Sequence, residues 1–177
     1  MKKCIKSSVL AGSALFATLT LVGCGNGAGT NEPVEIGTSE NFNKQGYPIV
    51  NEQITLTFAA PKASLAPNFG EMSIIQQLEE QSNIEIKWNN IPDADYSTKK
   101  NLMLASEDLP DAFWNSGFSD YDLIKYGAEG LIIPLNDLIE EYMPNLWAEM
   151  EKDPTIKSKL TAPDGNIYSL PTIEEMG

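Results

Sequence analysis

The sequence predicts an α/β fold, a parallel-sheet core with flanking helices, over residues 51–177. Three observations predict it. Residues 54–58 and 84–88 are β-prone runs whose apolar and polar residues alternate with a period of two. Apolar residues then recur at helical spacing, as at Met72, Ile75 and Leu78. Strand and helix alternate along the chain, the order that gives parallel neighbours joined by helical crossovers.

The first strand is Ile54-Thr55-Leu56-Thr57-Phe58, followed by a Pro-containing loop and a helix ending near Gln81. Ile84-Glu85-Ile86-Lys87-Trp88 is the second strand, and a polar loop with Pro92 leads to a helix over residues 97–106. Residues 111–114 form a short third strand. Ser119 and Asp122 have the spacing of a capping box, opening a helix toward Tyr126 that Gly127 and Gly130 end. Residues 131–135 are extended. Asn136 caps a helix carrying Leu138, Ile139 and Tyr142, which stops before Pro144, and residues 146–152 form another. Asp164-Gly165 is a turn between extended segments, the second being residues 166–170. In open α/β sheets ligands bind beyond the carboxyl ends of the strands, so the positions just after Phe58, Trp88 and Phe113 are where a site is sought.

Upstream the chain has another character. Lys2, Lys3 and Lys6 precede an apolar run over residues 9–22, broken only by small residues such as Gly12 and Ser13. This is a charged n-region and h-region of an export signal. The run is shorter than the roughly 20 apolar residues that span a bilayer. It closes on Leu21-Val22-Gly23-Cys24, which resembles the bacterial lipobox. That resemblance implies diacylglycerol on the Cys24 thiol, cleavage before it, and anchoring to the extracytoplasmic face of the cell membrane. Two acyl chains hold stably where one binds marginally. The expected organisation is a signal at 1–23, a lipidated flexible tether at 24–50, poor in apolar residues, and a folded part at 51–177.

Composition excludes several functions. Formal charge is −13 with no Arg and no His, and loss of three signal lysines takes it to about −16. Such a chain lacks the basic footprint for nucleic acid and is repelled by anionic headgroups, leaving membrane attachment to the lipid. Without His, a Ser-His-Asp or Cys-His nucleophile and a zinc site of His and Cys are excluded. With Cys4 in the signal and Cys24 lipidated, the mature chain has no disulfide. Asp93-x-Asp95 starts like a calcium loop but lacks the Gly and terminal Glu that such a loop needs, so neither a metal nor a cofactor is expected. Carboxylate-pair hydrolysis survives this filter. Its candidates, Glu140-Glu141 and Glu174-Glu175, are adjacent residues, which on a helix do not face one another.

Three stretches carry a family resemblance: Leu109-Pro-Asp-Ala-Phe-Trp114, Tyr126-Gly-Ala-Glu-Gly-Leu-Ile-Ile-Pro-Leu-Asn-Asp-Leu138, and Asp164-Gly-Asn-Ile-Tyr-Ser-Leu-Pro171. In order and spacing they resemble extracellular solute-binding proteins of family 1, the maltose-binding-protein-like receptors of bacterial ABC importers. The resemblance implies an incomplete N-terminal lobe of the periplasmic-binding-protein-like type II fold, since members run to several hundred residues. It implies a receptor without catalysis that closes on a small-molecule solute, commonly a carbohydrate, and delivers it to ABC transporter permease subunits. Trp114 would border the sugar cleft, with Asn115 beside it to bond hydroxyls. Glu175, with Glu174 next to it, would face the ligand, and Lys62, after the first strand, would contact it. Tyr168 would pack on the hinge side, and the lysines at 99, 100, 152, 157 and 159 would form solvated faces. The alternatives are the tethered hydrolase and a lipid-anchored sensor that uses the same lobe without a transporter.

Overall fold

The computed structural model describes residues 40–172. The signal, Cys24, the first part of the expected tether, Glu174 and Glu175 lie outside the described residues.

A three-stranded parallel sheet in the order β2-β1-β3 is formed by β1 (Ile54–Lys62), β2 (Ile84–Pro92) and β3 (Ala112–Phe113). Ile54 stands opposite Ile84 and Phe58 opposite Trp88, so the alternating patterns of both strands are in phase and their apolar residues share a face. Both strands run four residues past the ends expected from alternation. Pro61 fits inside the central strand for a specific reason. Ala59 accepts a bond from Trp114 N–H on the β3 side, and strand alternation turns Pro61 to that same side, beyond the last residue of β3. The missing N–H therefore interrupts no ladder. At the outer edge of β2, the Ile86 amide is satisfied by the Glu79 carboxylate at 2.8 Å, which shields an edge that would otherwise be open.

Helix α1 (Ser73–Ser82) follows a 3₁₀ turn at Phe69–Glu71 and ends on Asn83 in the left-handed conformation. Asn tolerates that conformation, and its side chain donates to the carbonyls of Val50 and Asn51. Helix α2 (Asp93–Ser106) begins directly after β2, four residues earlier than expected. Asp93 and Asp95 lie in its first turn, where carboxylates favour the positive end of the helix dipole. These two acids thus serve the helix start. Ala59, Ile91 and Tyr96 are buried between sheet and α2, with Met103 and Phe113 against them. Complete burial of Ile91 contributes on the order of 1.5–3 kcal/mol.

The expected capping box is present at α3 (Asp120–Ala128): the Ser119 hydroxyl accepts from Asp122 N–H, and the Asp122 carboxylate accepts from Ser119. Gly127 lies inside the helix. A Cβ there would run into the Tyr168 ring, whereas Gly130, at φ +72°, supplies the left-handed residue beyond the end.

Helices α4 (Asn136–Tyr142), α5 (Pro144–Lys152) and α6 (Pro154–Leu160) build a second core around Ile139, Met150 and Ile167. Asn136 was expected to cap its own helix but is its first residue. Its amide group donates to Gly165 O at 3.1 Å and its amide oxygen accepts from Ile167 N–H at 2.8 Å, clamping the Asp164-Gly165 turn. Residues 131–135 form no strand.

Residues 40–50 fall in the stretch expected as tether, yet they are docked. Phe42 bridges to Val50, packs edge-on against Tyr142 at 5.4 Å, and Val50 is buried. Lys44 pairs with Glu141 at 2.6 Å, an exposed pair that adds little by itself. This segment folds back because Phe42 and Val50 have an apolar partner surface, which local composition does not reveal.

Candidate functional site

Where the short β3 stops, level with the middle of β1 and β2, four aromatic residues gather into an aromatic edge. Phe58 and Trp88, opposite in register, touch edge-to-face at 5.3 Å. Phe69, brought over by the 3₁₀ turn, stacks on Trp88 at 4.7 Å. Trp114 follows β3, 6.5 Å from Phe58 and 5.9 Å from Trp88. Trp114 is the exposed member at 47%. It offers an indole backed by the rings of Phe58 and Trp88, an apolar surface suited to the C–H face of a sugar ring. The Trp88 indole N–H is buried and finds no partner among the described residues, a desolvation cost on the order of 1–3 kcal/mol.

Trp114 is fixed from both sides. Its N–H donates to Ala59 O at 2.9 Å, extending the ladder by one residue. Upstream, the Asp111 carboxylate accepts from Thr57 N–H at 2.7 Å and from the Thr57 hydroxyl at 2.8 Å, while Asp111 N–H donates to the same hydroxyl oxygen. The backbone and hydroxyl bonds from Thr57 hold the Asp111 carboxyl below the usual carboxylate range. Asn115 comes next, exposed and at φ +47°, a left-handed conformation that Asn tolerates better than most residues. Its amide can donate to and accept from hydroxyl groups.

Lys62 ends β1, four residues beyond Phe58. Its ammonium donates to Ala66 O at 2.8 Å and so closes its own loop; an ammonium has three donors, leaving two for a ligand. The fold places Trp114 and Asn115 directly after β3 and Lys62 at the end of β1, while Glu175 lies outside the described residues. Tyr168 is a packing residue in its geometry: it seats against Gly127, and its hydroxyl donates to Asp164 at 2.8 Å.

One expectation is corrected. Lys100 is no solvated lysine but is buried, 7% exposed, with its ammonium turned toward the loop after β3. Sequence reasoning also missed Phe58, Phe69 and Trp88 as support for Trp114. The in-phase register of residues 54–58 and 84–88 was the signal that could have found the first and last of these.

An apolar groove of about 350 Å³ lies elsewhere, lined by Phe42, Leu135, Leu138, Ile139, Tyr142, Met143 and Leu170. It contains no residue of the strand ends and almost no polar group to orient a hydroxylated ligand, so the aromatic edge is the better candidate. Among the described residues no cluster of carboxylates could hold a metal. The carboxylates with a resolved shift, Asp111, Asp122, Glu141, Asp153 and Asp164, all titrate lower than usual, the reverse of what a general acid requires.

Residues 62–176 match the family model described as bacterial extracellular solute-binding protein. The chain is 40% identical over 175 residues to the fructooligosaccharide ABC transporter substrate-binding protein FusA of Streptococcus pneumoniae serotype 4, covering 97% of this chain and 30% of that protein. The structure of S. pneumoniae FusA in complex with kestose superposes at a TM-score of 0.66 with 45% identity, over 70% of this chain and 25% of that one. The alginate-binding protein AlgQ2 without calcium ion superposes at 0.60 with 27% identity, over 72% and 26% of the two chains. The chain thus spans about a third or less of the length of these relatives.

Proposed function

The chain belongs to the bacterial extracellular solute-binding protein family, a family of receptors rather than enzymes, and from that premise we propose that it serves in the capture of a fructooligosaccharide for an ABC importer. The observation that carries the reading is the 40% identity to a fructooligosaccharide receptor over nearly the whole chain. The aromatic edge supports it physically. Stacking on Trp114 and hydrogen bonds from Asn115 and Lys62 suit a ligand with apolar C–H faces and many hydroxyls. Residues 51–177 form part of the N-terminal lobe in this reading, and Glu175 faces the ligand from beyond the Asp164-Gly165 turn. Closure of a second lobe over the edge signals the loaded state to the permease.

The ligand class is tested by thermal unfolding of the native-length protein with kestose, a maltooligosaccharide and fructose. A ligand that binds only the folded state raises Tm. Kestose is expected to raise it most. A larger shift with the maltooligosaccharide, or none with any sugar, would overturn the assignment.

Membrane attachment belongs to the same proposal. Lipid on Cys24 holds the receptor at the extracytoplasmic face, as the lipobox Leu21-Val22-Gly23-Cys24 supports. Cys24→Ala is expected to leave the protein uncleaved or to release it from the lipid-modified pool. The intact mass of membrane-extracted wild type should show a chain beginning at Cys24 plus diacylglycerol. An unmodified cysteine there would refute the anchor.

A further inference from the structure

We infer that Lys100, together with Tyr96, is a positioning residue of the ligand site: from one face of α2 the two hold the loop that presents Trp114 and Asn115. The inference rests on the reading of Trp114 as a ligand contact.

Lys100 is a buried cation that forms no direct ion pair; Asp122 is near enough to feel its charge but does not bond its ammonium. The ion pairs among the described residues are Lys44–Glu141 and Lys152–Glu149. Its ammonium donates instead to Ser116 O at 3.0 Å and to Gly117 O at 3.4 Å, and lies 4.3 Å over the Phe118 ring. One charge thus gathers three consecutive residues by two charge-assisted hydrogen bonds and a cation–π contact. Tyr96, one helical turn earlier, shares a hydrogen bond between its hydroxyl and that of Ser116. The Ser116 hydroxyl in turn reaches Trp114 O at 3.2 Å.

The loop needs such a clamp. Asn115 at φ +47° and Gly117 at φ +57° are both left-handed, so the backbone reverses sharply within three residues. Such conformations persist where surrounding contacts over-determine them. A buried ammonium costs desolvation energy unless it is satisfied; here its satisfaction depends on the loop holding this shape. An apolar side chain at position 100 would fill the space equally well but would not fix the carbonyls of Ser116 and Gly117. The cation therefore contributes loop geometry that simple packing does not.

The test is a double-mutant cycle on the native-length protein, with kestose affinity read by calorimetry. Lys100→Met is expected to raise Kd about 10-fold or more in the wild-type background and less than about 2-fold in a Trp114→Ala background. Its effect on thermal stability should be the same in both backgrounds. Equal affinity losses in the two backgrounds, or no loss in the first, would overturn the positioning role. If Trp114→Ala leaves affinity unchanged, or wild type does not bind kestose, the reading of the site itself fails and this inference fails with it. Should Lys100→Met not fold, Tyr96→Phe runs the same cycle. It removes one hydroxyl, and about a 3-fold rise confined to the background with Trp114 is expected.

Discussion

Asp111 sets the start of β3 and so the height at which Trp114 leaves the sheet. Its carboxyl is lowered by the bonds it accepts from Thr57. A folded-state pKa below the unfolded one adds stability that is fully present above the unfolded value, about 3.9, and is lost as pH falls through the folded value. Acid unfolding of the native-length protein should therefore lose a small increment as pH falls below about 4, at most on the order of 1 kcal/mol because Asp111 is solvent-exposed. Asp111→Asn should flatten that limb; an unchanged acid limb would argue that the bracket contributes nothing. Among single residues, Trp114 was singled out through the family resemblance of residues 109–114, and the structure leaves it half-exposed just after β3; its contact with a ligand is a proposal. Lys100 was not legible in the sequence. Beside Lys99 it reads as a solvated pair, and only the return of the chain after β3 gives it carbonyls to bond.

At the scale of elements, the contact between α3 and the last turn of the chain is a single close fit. A Cβ on Gly127 would meet the Tyr168 ring, whose hydroxyl is tied to Asp164 and Asn166. Ala is the better helix former by about 1 kcal/mol, but overpacking of this kind costs about 1–3 kcal/mol. Gly127→Ala should thus lower stability by about 1 kcal/mol in chemical denaturation, and adding Tyr168→Leu should recover the helix gain. A stabilised single variant would contradict the fit. The strands and α1 to α5 were legible from period and caps, with ends displaced where no local signal exists. Ala59 and Ala60 are fully buried in β1 yet too small to mark an alternation. Helix α6 was missed although its start is written plainly: Asp153 accepts from Thr155 N–H, and Pro154 occupies the first helical position. Asn136 misled because a residue that suits a cap found a turn to bind instead.

For the molecule as a whole, the sheet brings together residues that are far apart in sequence, as Phe58, Trp88 and Trp114 show. Lys62 and Trp114 end adjacent strands only because β3 pairs with β1 on the side opposite β2. The docking of residues 40–50 beside α4 is likewise a tertiary fact, set by Phe42, Val50 and Tyr142 and invisible in a stretch dominated by polar residues. Fold class could be read from alternation and strand order; the positions just after Phe58 and Trp88, expected beyond strand ends, lie inside strands that run on to Lys62 and Pro92, and the support behind Trp114 depends on register and on a buried lysine. Calorimetric titration of the native-length protein with kestose, run beside its Trp114→Ala variant, tests the central claim most directly. Saturable one-site binding by wild type and at least about 10-fold weaker binding by the variant are predicted. Kestose binding of equal strength in both would contradict a ligand site on the aromatic edge.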